Sequence, residues 1–404
     1  MGAKREMAAL APSCSHARNR VSSMKISFLL VRGFWDMHIE YTGARHEAST
    51  NTPLVVAVDL GGTQIRAAVL RGATLLSRVG LLTGEDPIPE RIFPRIFQAV
   101  QQALDEAGVT LDQIAGIGIG APGPLDSHTG IVYSPPNLPG WENVPVRDLF
   151  NKQFHVPIFV ENDANAAGLG EYMFGAGRGS RDVVYLTIST GIGGGIITDG
   201  KVLEGTSGMA GELGHMSIDW RGERCNCGNI GCLERIASGT GIARAANDAI
   251  AQGKGEDLLA FVNTCGVNEA ENAKASTPED VIAAHDSAHV TARTVALAAE
   301  AGIPIAQEII KTAAQALGVG LVNIIHIFNP QKIILGGGVT QMGALLLDPA
   351  LRIVEERTMA VPRKAAQIVL AELGNDVGLV GAGALIYYNK DIAEGSSKEQ
   401  DGTK

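Results

Sequence analysis

Two segments built the same way constrain this chain more than anything else in it. LVVAVDL (54–60), GGT and QIRAAVL (64–70) read as a buried strand, a glycine turn and a returning strand. DVVYLTISTGIGGGIITDG (182–200) repeats strand, glycine turn and strand about 130 residues later. Around them, strand runs alternate with helical spacing. RIFPRIFQAVQQALDEAG (91–108) is a helix with a glycine stop, and IAGIGIGAPG (114–123) is a strand running into a glycine and proline turn. VPIFVENDANAAGLGEYMFGAG (156–177) is a strand passing into a helix. IAQEIIKTAAQALGVGLVNIIHIF (305–328) is helical, and KIILGGGV (332–339) is a last strand with another glycine turn. Strands alternating with helices predict an α/β fold. The duplicated hairpin predicts two similar halves facing each other across a cleft, where a ligand binds between converging loops.

Composition removes several function classes. A formal charge of −10 argues against a nucleic-acid partner, which usually meets a basic face. No apolar run approaches the roughly 20 residues needed to cross a bilayer. ISFLLV (26–31) is short, lacks a small-residue cleavage site and leads into charged sequence, so it does not read as an export signal. The expected compartment is the cytoplasm, where disulfides rarely persist. Residues 1–52 have mixed polarity and no sustained period and are expected to be a disordered extension, with Met24 an alternative start.

Three glycine loops suit phosphate. In DLGGTQIR (59–66), Gly61 and Gly62 let backbone N–H groups approach phosphate oxygens, and Thr63 adds a hydroxyl. Asp59 stands at the strand end, where a Mg²⁺ on those phosphates takes an oxygen ligand through water. The plain alternative is an ordinary hairpin turn. STGIGGG (189–195), with Thr190 and Gly191, repeats the design, and Gly336 and Gly337 open a bare backbone surface suited to a nucleoside. GIGAPG (118–123) satisfies G-x-G-x-x-G, but PLDSHTGIVYSPPNLPGW follows it and cannot be the required helix. No G-x-x-x-x-G-K-[ST] occurs, so hairpin loops are expected to hold the nucleotide.

VENDANAA (160–167) clusters Glu161, Asn162, Asp163 and Asn165 where a strand becomes a helix. Asn and Asp there can simply cap free helix N–H groups. A strand's C-terminal end is also where α/β active sites form, and a carboxylate there can take the proton of an attacking hydroxyl. The cluster therefore offers Asp163 as general base and Asn162 as a substrate ligand.

CNCGNIGCLE (225–234) packs three of the five cysteines into eight positions. A redox pair calls for C-x-x-C, which is absent, and a disulfide leaves an odd thiol. Cys225, Cys227 and Cys232 supply three ligands for a structural zinc, with His215 the best fourth and Asp219 second. Cys14 and Cys265 read as spectators. Glu212 and His215 enter this knuckle and Glu234 leaves it, so a metal there would fix two carboxylates able to accept sugar hydroxyls.

The motifs DLGGTQIR, GIGAPGP, PNLPGW, VENDANAA, STGIGGG, GELGH, CNCGNIGCLERIASG and LGGGV, in order from about residue 53 to 390, resemble the ROK family of sugar kinases and sugar-responsive repressors. The resemblance implies the two-domain actin-like ATPase (ribonuclease H-like, hexokinase-like) fold. Its small domain would comprise 53–164 and 376–392, its large domain 165–375 with the zinc knuckle, and 393–404 would be a disordered tail. It implies ATP- and Mg²⁺-dependent phosphorylation of a hexose 6-hydroxyl, with Asp163 as base. Asn137, Asn162, Asp163, Glu212, His215 and Glu234 would surround the sugar, and the loops at Gly61–Thr63, Thr190–Gly191 and Gly336–Gly337 would face ATP. GELGH and PNLPGW are similar to the glucokinase branch, with N-acetylmannosamine kinase as the alternative. A DNA-binding repressor of this family would carry an N-terminal helix-turn-helix, and the short extension lacks a convincing helix pair. A homodimer or homotetramer is the expected assembly.

Overall fold

The computed structural model of the chain describes residues 51–84, 86–264 and 290–401. The expectations for residues 1–50, Met24 and Cys14 among them, and for Cys265 lie outside the described residues.

The first hairpin is β1 (Leu54–Leu60) and β2 (Gln64–Arg71), antiparallel, with Asp59 directly opposite Arg66. Short β3 (Thr74–Leu75) and β4 (Val79–Leu82) pair with β2. Helix α1 (Pro89–Ala107) starts with proline at its first position and stops at Gly108, whose φ of 64° lets the chain turn out of the helix. Strand β5 (Ile114–Ala121) then runs parallel to β1. The sequence after it forms no helix. It makes β6 (Leu125–Asp126), β7 (Ile131–Val132) and β8 (Val144–Pro145), a separate three-stranded sheet, and then helix α2 (Val146–Phe154). Strand β9 (Ile158–Asn162) pairs parallel to β5 and leads into α3 (Asp163–Phe174).

The second half repeats this plan. β10 (Val183–Ile188) and β11 (Ile192–Thr198) are the antiparallel hairpin, extended by β12 (Lys201–Val202). β13 (Lys332–Gly336) and β14 (Gln367–Leu370) add parallel strands on the other side of β10. The orders β2-β1-β5-β9 and β11-β10-β13-β14 are therefore equivalent.

Each sheet has its own core. Ile92, Ile96, Trp141 and Phe150 bury one face of the first sheet. The helix Val377–Asp401 covers its other face with Leu379, Val380, Ala382 and Ile386. That helix runs to Asp401. The helix Pro304–Phe328 underlies the second sheet. It is long and apolar enough on average to span a bilayer, a property the run of sequence concealed because Glu308, Lys311 and other polar residues interrupt it. Most of it is buried in the core, which accounts for the hydropathy.

Helix α3 joins the halves. Its DANAAGLGEYMF has no strong apolar face because Ala164 to Glu171 are buried all round, against β10 and β11 on one side and the C-terminal helix on the other. Small residues allow backbones to approach on both sides. Glu171, fully buried at its end, accepts N–H bonds from Ala176 (2.8 Å), Glu372 (3.1 Å) and Leu373 (2.8 Å). The head of α3 thus stands between the two sheets, at the C-terminal end of β9.

Candidate active site

Asn162 caps α3. Its Oδ1 accepts the N–H groups of Ala164 (2.9 Å) and Asn165 (3.2 Å). With that oxygen engaged, the amide has only its Nδ2–H donors left, so capping and ligand binding are both open to it. Asp163 follows in the first turn. Its carboxyl is raised to about 7, first by the loss of bulk water around it and then by the Asp59 carboxylate, with Glu212 adding to the repulsion and the Ala164 N–H opposing it. By surface area Asp163 is nonetheless an exposed residue, so the carboxylates of Asp59 and Glu212 facing it are the firmer cause of the rise than enclosure. A carboxyl near 7 changes protonation state at neutral pH, which suits an acid–base group.

Glu161, only 4 % exposed, is the support beneath it. Its Oε1 accepts from the Asn162 N–H (2.8 Å) and from Asn165 Nδ2 (3.1 Å), while burial pushes its carboxyl up to about 7. Composition and spacing had marked Glu161 as one of a polar cluster; nothing in them showed it turned inward.

The first glycine loop is held from outside. Thr83 donates its hydroxyl to Gly61 O (2.9 Å) and its N–H to Thr63 O (2.8 Å). Asn137 lies against Gly62, where a Cβ would come within 2.8 Å of it. Asp59 pairs with Arg66, which also donates to Asn375 O (3.0 Å). The sequence signal for Arg66 is its position opposite Asp59 in the hairpin.

Thr190 and Gly191 form the β10–β11 turn, where Thr240 donates its hydroxyl to Thr190 O (2.8 Å). Gly336 ends the neighbouring β13 and Gly337 follows it, packed on Tyr185 and Ile188 respectively. The two loops therefore sit side by side at the C-terminal ends of the adjacent parallel strands β10 and β13.

Glu234 connects this end of the sheet to the cysteines. Its Oε2 accepts the Ile192 N–H (2.8 Å), and its Oε1 lies 4.0 Å from His215 Nδ1. His215 Nε2 in turn lies 3.9 Å from Glu212. His215, Cys225, Cys227 and Cys232 offer donor atoms that all lie within 4.8 Å of one another. Cys227 and Cys232 sulfurs are 3.7 Å apart, and Cys225 Sγ lies 3.9 Å from His215 Nδ1. A tetrahedral cation with bonds of about 2.3 Å needs ligand separations near 3.8 Å, so the four residues fit one. Burial, then the adjoining Cys227 and Cys225 thiols, push Cys232 up to about 12, whereas the Cys227 thiol is lowered. Asp219 is outside this set; its carboxylate takes the Arg221 N–H instead (3.0 Å).

The ROK family profile matches residues 55–388. The chain belongs to the ROK family. It is 36 % identical to a glucokinase of Halalkalibacterium halodurans over 343 residues, 84 % of this chain and 96 % of that protein. It is 30 % identical to a xylose repressor of Caldicellulosiruptor bescii, over 82 % of this chain and 77 % of the repressor. Among solved structures, a ROK family glucokinase from Streptomyces griseus in complex with glucose and AMPPNP aligns with a TM-score of 0.64 and 34 % identity, covering 82 % of this chain and 98 % of that one. The fold is accordingly that of the ROK sugar kinases.

Proposed function

We propose that this ROK protein is a glucokinase, transferring the terminal phosphoryl group of ATP to the 6-hydroxyl of glucose. The observation that carries the reading is Asp163, at the head of α3 between the two sheets, with a carboxyl near 7 and the free amide of Asn162 beside it. Asp163 takes the 6-hydroxyl proton as that oxygen bonds to phosphorus and the bond to ADP breaks. Positioning and charge compensation carry most of the barrier reduction in such a transfer. Mg²⁺ on the phosphates would supply positive charge, with Asp59 the nearby carboxylate. The backbone at Gly61, Gly62, Thr63, Thr190, Gly191, Gly336 and Gly337 receives the nucleotide. Asn137, Asn162, Glu212, His215 and Glu234 hold the sugar. Zinc on His215, Cys225, Cys227 and Cys232 supplies structure. Because all four positions belong to protein, none is open for a reacting oxygen. A cytoplasmic homodimer or homotetramer is the proposed form.

The glucokinase relatives and the glucose complex of the Streptomyces griseus protein support the choice of sugar. N-acetylmannosamine kinase keeps the same chemistry with another hexose. The identity to a xylose repressor favours a second reading, a sugar-responsive regulator. Coupled ADP release from ATP and Mg²⁺ with glucose, mannose, fructose, N-acetylglucosamine and N-acetylmannosamine tests these. Glucose turnover abolished by Asp163→Asn is the expected result; sugar binding without turnover, with a gel shift on promoter DNA, would favour the regulator.

A further inference from the structure

The segment between β12 and Glu212 is a glycine-hinged strap. Gly205, Gly208 and Gly211 all take positive φ, at 72°, 73° and 96°. At Gly208 the strap lies so close to the first half that a Cβ would stand 3.3 Å from Leu125 O and 3.4 Å from Ser127 N. At its start, Glu204 pairs with His128 in the turn after β6 at 3.1 Å. A strap carried by the second sheet is thus docked on the small sheet of the first.

Under it lies a pocket lined by Leu125, Asn162, Gly208, Met209, Ala210 and Glu212, with a cavity volume of about 10 Å³. A space of about 10–15 Å³ holds one water molecule. Two of its lining side chains are polar, the Asn162 amide, whose Oδ1 already accepts two helix N–H groups and which has N–H left to give, and the Glu212 carboxylate, which has only oxygens. A hydroxyl satisfies both at once, accepting from one and donating to the other. An acylamino group brings four heavy atoms, more than a one-water space holds unless Met209 moves aside. Met209 forms the yielding wall, an unbranched side chain that is 41 % exposed.

We propose that this strap is a size filter, with Met209 as its specificity-determining residue, which admits a hexose carrying hydroxyls on the ring edge facing it and excludes N-acylated hexosamines. The proposal rests on the cleft being a hexose site, as the proposed function has it.

The test measures binding as well as turnover. Dissociation constants for glucose, N-acetylglucosamine and N-acetylmannosamine are measured by calorimetry on the full chain, for the wild type, Met209→Ala and Met209→Phe, beside ADP release with each sugar. The wild type should prefer glucose by about 100-fold, the range a mismatched pocket wall gives. Met209→Ala should narrow that preference to below about 10-fold by gaining the acylated sugars, and Met209→Phe should not. A wild type that binds glucose and the acylated sugars alike, or a Met209→Ala protein that keeps the wild-type ratio, overturns the filter. Selective glucose binding without ADP release supports the filter while overturning the kinase reading. Equal phosphorylation of glucose and N-acetylmannosamine does the reverse.

Discussion

Glu161→Gln isolates the cost of the buried carboxyl beneath the active site. The amide keeps the shape and retains an oxygen able to accept from Asn162 N–H and Asn165 Nδ2, as Oε1 does now at 2.8 and 3.1 Å. It removes only the charge. Burial moves the Glu161 carboxyl from 4.5 to about 7. At 1.36 kcal/mol for each factor of ten, its ionised form costs the folded protein about 3 kcal/mol. The sign follows from proton counting. Between 4.5 and about 7 the folded state holds a proton that the unfolded state has lost, so raising the pH through that window destabilises the wild type. Below 4.5 both states are protonated and the contribution vanishes. The variant lacks the group, so its stability relative to wild type should be unchanged near pH 4.5 and higher by about 3 kcal/mol at pH 8. Urea unfolding of both proteins at half-unit pH steps measures this, with equal m-values confirming that the same transition is compared. A stability difference that is constant with pH, or a variant less stable at pH 8, would refute the reasoning. Glu161→Ala serves as the counterpart: it strands the Asn165 amide, itself 2 % exposed, and should destabilise at every pH.

The remaining predictions concern the reaction and the knuckle. Asp163→Asn should lower kcat by about 10²–10⁴-fold while changing glucose affinity less than 10-fold, measured by ADP release and calorimetry. For the wild type, kcat/KM should fall as pH drops below about 7, because the base must be ionised and its carboxyl is raised to that value; a flat profile from pH 5 to 8 would contradict the assignment. Cys232→Ser should lose about one equivalent of zinc by elemental analysis and melt earlier, with glucose KM raised before kcat. Gly191→Ala places a Cβ 2.6 Å from Glu234 Oε2. Since that atom ends a movable side chain, the protein should fold with the carboxylate displaced, and glucose KM should rise about 10-fold or more in steady-state assays.

Legibility from sequence followed distance along the chain. Both hairpins, the β9–α3 junction and the cysteine cluster were readable because each is local, set by turn residues, a cap and ligand spacing. The cleft followed from repetition of the hairpin. What stayed hidden depends on contacts between distant residues. Thr83 bonds a loop 20 residues away, Glu204 meets His128, and Glu161 turns inward only because β5 and α3 enclose it. The residues 124–145 resisted reading for another cause. Their strands are two residues long, too short to show an alternation, and only the sheet they form together reveals them.

The knuckle answers a packing problem as much as a chemical one. Of residues 221–230, only Cys225 is buried, so the segment lacks the apolar surface that would hold it in place. Glu234 nonetheless has to keep one oxygen on the Ile192 N–H of the β10–β11 turn and the other toward His215. A cation held by Cys225, Cys227, Cys232 and His215 would supply what burial cannot. Two of its flanking carboxylates face the proposed sugar, and one of those also fixes a loop of the proposed nucleotide site. Loosening the knuckle should then disturb both substrates together. A Cys232→Ser enzyme whose KM for glucose rises while its KM for ATP stays unchanged would show that the Glu234–Ile192 bond does not transmit the knuckle's position to the nucleotide side.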